Sequence, residues 1–126
     1  SGGCQAEIGS ASGMTAAAIC SVRGGSKEQM GHACAMALKN LMGLVCDPVA
    51  GLVEVPCVKR NVGGAVNALA AADMALAGIA SHIPVDQVID AMGEVGMKMD
   101  VSLRETSMGG VATSPKGLEI AERLGM

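Results

Sequence analysis

The sequence predicts an all-α fold, a compact bundle of about five helices with a cysteine-bearing loop. Apolar residues recur at helical spacing along most of the chain, and alanine, the strongest helix former, is abundant. Almost no segment has the alternating pattern of a strand. With 126 residues and 50% hydrophobic composition, the chain is expected to form a single domain over residues 1–126, with a core of Leu, Ile, Val, Met and Ala.

Glycines and a capping pattern divide the first part of the chain into two helices. The first helix is expected over residues 5–22, because the Gly24-Gly25 pair that follows is a good helix stop. Ser26 and Gln29 have the spacing of a capping box, in which each side chain bonds the backbone N–H of the other residue. The second helix is therefore predicted to begin after Ser26 and to reach about residue 44.

A loop is predicted next, in the stretch CDPVAGLVEVPC between Cys46 and Cys57. Asp-Pro and glycine turn the chain at its start. Residues 53–56 are expected to be extended, because Pro56 disfavours the α region for the residue before it.

Three helices are predicted after this loop. The third is expected from residue 59 or 60 to residue 80, and the fourth from residue 85 to about residue 99. The last helix is predicted to have Ser114 as its N-cap and Pro115 in its first position, and to end at residue 124.

Charge and hydropathy argue against two classes of partner. The net charge is −3, from 9 basic and 12 acidic residues, and no basic run is longer than Lys59-Arg60, so neither nucleic acid nor an anionic membrane is expected as a partner. Residues 62–80 come nearest to a membrane span, but Asn67 and Asp73 interrupt them and most of their apolar residues are small. This segment is therefore predicted to be a buried core helix.

The chain contains five cysteines, an odd number, and shows no signal peptide. This combination favours reduced thiols, metal ligands or buried cysteines over a complete disulfide framework, and predicts a cytoplasmic location. Since the sequence does not begin with Met, we expect it to be a piece of a longer polypeptide.

The cysteines fall into two groups. Cys20 and Cys34 lie within predicted helices among apolar residues, where cysteine usually behaves as an inert small hydrophobe. Cys4, Cys46 and Cys57 lie at or beside predicted helix ends or the loop, where free backbone N–H groups favour thiolates. Their spacing matches neither zinc-finger nor ferredoxin patterns, so spacing alone leaves a metal site open.

Three segments carry a family resemblance: GGCQAEIGSASGM, GLVCDPVAGLVEVPCVKRN and RETSMGG. They resemble the α-chain, or C-terminal catalytic domain, of the bacterial iron–sulfur-dependent L-serine dehydratases, and the match runs in order over essentially the whole chain. The resemblance implies that Cys4, Cys46 and Cys57 hold a [4Fe-4S] cluster with one iron open to substrate. It also implies dehydration of L-serine to pyruvate and ammonia, with the open iron acting as a Lewis acid and without pyridoxal phosphate.

A carboxylate substrate such as L-serine requires a fixed cation or a group of hydrogen-bond donors. The candidates are Arg60, Arg104, Thr106 and Ser107. The alternative is structural: Arg60 caps nearby carbonyls, and Arg104 pairs with a neighbouring acid on the surface. No residue has a clear claim to be the base that removes the α-proton, since His32 is expected to be solvated and His82 to lie in a turn.

The resemblance also implies a partner, the β-chain or β-domain of the same enzyme, and a homo-oligomer or heterodimer when complete. The isolated chain is therefore expected to be inactive. Two other interpretations remain open: a non-catalytic helical domain with a structural zinc or electron-transfer cluster site, and a helical piece with unligated thiols.

Overall fold

The computed structural model describes residues 2–126 and contains five α-helices and no strand within that range. A π-helical turn, Gln5–Gly9, runs directly into the first helix. The helices are α1, Ser10–Val22; α2, Lys27–Leu41; α3, Cys57–Leu76; α4, Val85–Lys98; and α5, Pro115–Arg123. Three short 3₁₀ turns lie between them, Val49–Gly51, Val101–Leu103 and Gly110–Thr113. The predicted all-α class and the number of helices are confirmed.

The core lies where α1, α2 and α3 pack against one another. Its buried side chains are almost all small, so the helix axes can approach closely. They are Ala16 and Cys20 of α1, Ala33, Met36 and Ala37 of α2, and Ala68, Ala71, Ala72 and Ala75 of α3. A second group joins α4 to α2, where Val88 is buried with Ala35 and Leu38.

A polar network ties the same three helices together at the middle of the bundle. Asn67 of α3 donates through Nδ2 to Ser12 Oγ of α1 at 2.9 Å and to the Ala37 carbonyl of α2 at 3.0 Å. Ser12 in turn donates to the Gly64 carbonyl at 2.7 Å. Asn67, which interrupts the apolar run in the sequence, therefore joins three helices by hydrogen bonds.

Within residues 2–126, none of the helices has the length and apolar character needed to span a bilayer.

Two predicted helix starts are confirmed in atomic detail. Ser26 and Gln29 form the full capping box of α2, with both reciprocal bonds present. Ser114 caps α5 by accepting a bond from the Gly117 amide, and Pro115 occupies the first helical position.

Two predicted helix ends are wrong by a few residues. Helix α2 ends at Leu41 rather than residue 44, because Gly43 takes a left-handed conformation with φ of 90°. Helix α3 ends at Leu76 rather than residue 80, because Gly78 has φ of 91° and its amide bonds the Ala75 carbonyl at 3.0 Å.

The segment predicted to be extended, residues 53–56, is instead a turn. The Val49 amide bonds the Val55 carbonyl at 2.9 Å, and the Glu54 amide bonds the Leu52 carbonyl at 2.8 Å, so the chain folds back on itself. The Val55–Pro56 peptide bond is cis. Helix α3 begins at Cys57, two or three residues earlier than predicted.

A pair of adjacent glycines on α3 tests the close packing of α3 against the π-helical turn that precedes α1. A Cβ on Gly64 would lie 2.7 Å from Cγ2 of the buried Ile8, whereas a Cβ on Gly63 would meet nothing within 4 Å. We expect Gly64→Ala to lower the free energy of unfolding by about 1–2 kcal/mol, since overpacking outweighs the gain in helix propensity. Gly63→Ala should raise it by about 0.5–1 kcal/mol. Urea denaturation of the two variants measures both effects, and equal values for the pair would contradict the proposed close contact.

Candidate metal centre

Cys4, Cys46 and Cys57 line one cavity of about 230 Å³. Cys4 immediately precedes the π-helical turn, Cys46 lies in the loop after α2, and Cys57 is the first residue of α3. Their side chains are buried, with exposures of 2%, 4% and 7%. We call this space the cysteine cavity. The fold thus brings together three thiols that are far apart in the sequence.

Backbone hydrogen bonds fix the positions of Cys4 and Cys46 relative to each other. The Gln5 amide, next to Cys4, donates to the Leu44 carbonyl at 3.0 Å, and the Gln5 side chain accepts from the Gly43 amide at 2.9 Å. On its other side, Cys46 donates to the Leu103 carbonyl at 2.9 Å and accepts from the Glu105 amide at 2.8 Å. Cys46 is therefore held between the start of the chain and the segment after α4.

Asp47 anchors the cysteine loop from within. Its carboxylate is only 2% exposed and accepts one bond from Arg60 Nη1 and one from the Val111 amide, each at 2.6 Å. Gly110 has φ of 64°, and a Cβ there would lie 2.1 Å from Asp47 Oδ2. Glycine is therefore needed for the backbone to approach this carboxylate. The sequence interpretation of Asp47 as a simple turn residue missed these contacts.

Burial controls the protonation of the thiols. It raises the pKa of Cys46 to about 12, with further contributions from Cys4 and from the carboxylates of Glu7 and Glu105. Burial also raises the pKa of Cys57, and neighbouring Cys4 adds to this effect. The expected stabilisation of thiolates at helix ends is thus outweighed by burial. A metal that binds here must displace protons from these thiols.

The donor atoms fit a thiolate-bound metal. The sulfur atoms of Cys4 and Cys46 and a carboxylate oxygen of Glu7 all lie within 4.8 Å of one another, and Cys57 lines the same cavity. Soft thiolate ligands suit zinc and iron–sulfur clusters. Three thiols facing one cavity are therefore compatible with the cluster that the family resemblance implies.

Cys20 and Cys34 lie elsewhere. Cys20 is fully buried in the core formed by α1, α2 and α3, and Cys34 packs at the interface of α2 and α4. Burial raises the pKa of Cys34. Both cysteines pack among apolar side chains, as predicted.

Arg60 follows Cys57 on α3, and its side chain is already hydrogen-bonded within the chain. Its Nη1 donates to the Val45 carbonyl at 2.9 Å in addition to Asp47. Burial by itself would lower the pKa of Arg60, but the hydrogen bonds and charges of Asp47 and of Cys4 raise it overall. The guanidinium therefore caps a carbonyl, as the structural alternative proposed, and pairs with the carboxylate of Asp47.

The other three predicted substrate residues shape the neighbouring loop. Thr106 donates through Oγ1 to the Val101 carbonyl at 2.8 Å, and Ser107 donates through Oγ to the Pro48 carbonyl at 2.6 Å. Arg104 forms a parallel backbone bridge with Cys46 and lines a separate groove against α4. None of these three residues lines the cysteine cavity, and their part in substrate binding stays a prediction.

Sequence reasoning missed the carboxylates of the cavity. Glu7 and Glu105 both line it. Glu7 could have been found, because it lies three residues after Cys4 and residues at that spacing share a helix face. Glu105 gave no such signal, since a loop brings it there with φ of 70°.

His32 accepts a bond from the Ser81 amide at 3.1 Å and is half-buried, contrary to the expectation of a solvated side chain.

Comparison with known proteins identifies the family. The family model described as serine dehydratase alpha chain matches residues 1–112. The chain belongs to this family. It is similar to the probable L-serine dehydratase alpha chain of Bacillus subtilis, with 63% identity over 98% of this chain and 41% of that protein. It is also similar to the L-serine dehydratase alpha chain of Peptoniphilus asaccharolyticus, with 55% identity over 94% of this chain and 41% of that protein.

Longer relatives in the serine dehydratase family align over a smaller part of their length. L-serine dehydratase 1 of Escherichia coli is 46% identical over 87% of this chain, which corresponds to 24% of that protein. The chain thus spans less than half the length of the three relatives described here. What these relatives do as whole proteins can therefore be brought to this chain only as a proposal.

Proposed function

We propose that this chain is the cluster-binding part of an iron–sulfur-dependent L-serine dehydratase, which converts L-serine to pyruvate and ammonia. The observation that carries the proposal is the meeting of three buried side chains, Cys4, Cys46 and Cys57, in one cavity. Membership of the serine dehydratase alpha chain family supports the substrate and the reaction. In this reaction, loss of water from serine gives aminoacrylate, which tautomerises and hydrolyses to pyruvate and ammonia.

In the proposed enzyme the three thiolates hold a [4Fe-4S] cluster. When bound, the cluster supplies a Lewis-acidic iron that assists departure of the serine β-hydroxyl, a poor leaving group by itself. The chain's own contribution is to place the thiols. Asp47 and Arg60 lock the loop that carries Cys46 against α3, which carries Cys57. Such supporting contacts keep ligands in the geometry that the metal requires.

Recognition of the serine carboxylate is proposed for Arg60, with Arg104, Thr106 and Ser107 in the neighbouring loop. A guanidinium has five N–H donors, more than the contacts of Arg60 with Asp47 and Val45 use. Arg60 can therefore donate to a further acceptor without losing these two structural bonds. The base that removes the α-proton is not assigned to any residue of this chain.

A partner is proposed as well, the β-chain or β-domain of the same enzyme, in a heterodimer or homo-oligomer. Helix α3 supports it with a stripe of exposed apolar side chains at helical spacing. They are Val58, Val62, Val66 and Leu69.

The five free cysteines support a reducing compartment such as the cytoplasm.

One observation favours a second candidate, a structural zinc site. The donor atoms of Cys4, Glu7 and Cys46 are close enough together to surround a single ion. In that case the helical domain would be non-catalytic, and its metal-loaded form would be colourless.

Anaerobic reconstitution with iron and sulfide tests the proposal. We expect a brown protein with about four irons per chain and broad visible absorption. Serine turnover is expected only when the missing parts of the enzyme are supplied, because a positioned base contributes roughly a hundred- to ten-thousand-fold in rate. A colourless protein that retains zinc would support the second candidate. Turnover by the isolated chain at the rate of the complete enzyme would show that the base lies within these residues.

A further inference from the structure

Glu7 lies where a metal ligand would be expected. It sits on the π-helical turn that starts after Cys4, and a carboxylate oxygen of Glu7 is within 4.8 Å of the sulfur atoms of both Cys4 and Cys46. Short π-helical turns within helices occur frequently at functional sites. Here the turn directs the side chain three residues after Cys4 into the same cavity as the thiols.

The charge at this position lacks compensation from the chain. Within residues 2–126, the Glu7 carboxylate makes no side-chain hydrogen bond or ion pair, and the nearby cation, Arg60, is paired with Asp47. Two thiolates and a carboxylate this close together repel one another, and a metal cation between them would reverse the sign of the interaction.

We propose that Glu7 is a ligand of the metal centre, whose carboxylate oxygen completes the set of three cysteine thiolates when substrate is absent. This inference rests on the proposed function. The bond is formed by donation of an oxygen lone pair to the iron that no cysteine holds, and no electron is transferred to or from the chain. A single carboxylate oxygen among soft thiolates marks the position that a substrate hydroxyl or carboxylate can take over, since it is the hard donor of the set.

Glu105 provides a matched comparison. It is a second carboxylate that lines the same cavity. Among the described residues, however, its oxygen atoms do not lie within 4.8 Å of both the Cys4 and the Cys46 sulfur atoms, as the Glu7 oxygen does; the sulfur of Cys57 is outside that group as well. A general effect of negative charge should therefore appear with both residues, and coordination with Glu7 alone.

The experiment compares the full chain with Glu7→Gln and Glu105→Gln, each reconstituted anaerobically with ⁵⁷Fe and sulfide and without serine. Mössbauer spectra report the ligands of the individual irons, and iron content after brief exposure to a weak chelator reports how firmly the fourth iron is held. For Glu7→Gln we expect a changed spectrum for one iron in four and about tenfold or greater weakening of its retention. Glu105→Gln should match the unsubstituted chain in both measurements. Because both glutamates are exposed, circular dichroism should show all three proteins equally folded.

The outcomes separate the two proposals. A normal cluster in the unsubstituted chain with an identical spectrum and iron retention in Glu7→Gln overturns Glu7 as a ligand and leaves the proposed function standing. Equal changes in the Glu7→Gln and Glu105→Gln variants also overturn Glu7 as a ligand, because they show a general effect of negative charge. Absence of any cluster in the unsubstituted chain overturns the proposed cofactor, and the role of Glu7 with it.

Discussion

Replacing Cys4, Cys46 or Cys57 with serine is expected to abolish formation of the iron–sulfur cluster. Each thiol is buried in the cysteine cavity, so the loss of one leaves two thiolates to hold the metal. The expected loss of affinity exceeds the roughly 10–100-fold effect seen for residues that only support a ligand. Visible absorption and iron content after anaerobic reconstitution measure the effect.

The matched controls are the two cysteines outside the cavity. Cys34→Ser and Cys20→Ala should bind iron as the unsubstituted chain does, although Cys20→Ala removes a buried side chain and should lower stability. Alanine is chosen at Cys20 because a serine hydroxyl would be buried there. Cluster loss at Cys34 equal to that at Cys46 would refute the assignment of the three ligands.

Asp47→Asn is expected to lower the free energy of unfolding by about 3 kcal/mol, the scale for breaking one side of a buried ion pair. The substitution leaves the guanidinium of Arg60, itself only 21% exposed, without its charged partner. An asparagine amide also keeps only one acceptor oxygen, so its NH₂ group must face one of the two donors, Arg60 or the Val111 amide. Because Asp47 follows Cys46 directly, cluster affinity should fall about 10–100-fold as well. Urea denaturation and iron titration measure the two effects.

The exposed pair of Arg23 and Asp73 serves as the control for this ion pair. Its side chains are 48% and 65% exposed, so Asp73→Asn should change the free energy of unfolding by less than about 1 kcal/mol. Combining Asp47→Asn with Arg60→Met should recover part of the lost stability, since no unpaired charge then remains. Equal destabilisation by Asp47→Asn and Asp73→Asn would show that burial of the Asp47 pair contributes nothing.

Local sequence determined the helices of this protein. Alanine is a strong helix former, and segments whose apolar residues recur at helical spacing form helices whenever one face can be buried. The caps at Ser26 and Ser114 depend only on residues three positions away. For this reason the fold class and both helix starts could be predicted without tertiary information. The helix ends were predicted less well. Helix α2 stops before Gly43, whose amide bonds the distant Gln5 side chain, a contact that forms only in the folded chain. Helix α3 ends in a local bond between the Gly78 amide and the Ala75 carbonyl.

The cysteine site was predictable only in part. Cys4, Cys46 and Cys57 could be separated from the other cysteines by their positions at predicted helix ends, and the resemblance to a known family assigned them a role. Their surroundings could not be predicted. The sequence suggested thiolates favoured by helix ends, whereas the fold buries the thiols and raises the pKa of Cys46 to about 12.

Only the tertiary structure decided which charged groups meet at the site. Asp47 reaches Arg60 across the loop and the Val111 amide from the distant segment after α4, so its role depends on long-range packing. The same holds for Glu105, which a loop in an uncommon backbone conformation brings to the cavity. Local propensities set which segments are helical, but they carry no information on which segments become neighbours. That choice follows from burying the alanine faces of α1, α2 and α3 together, and it places the three cysteines around one cavity.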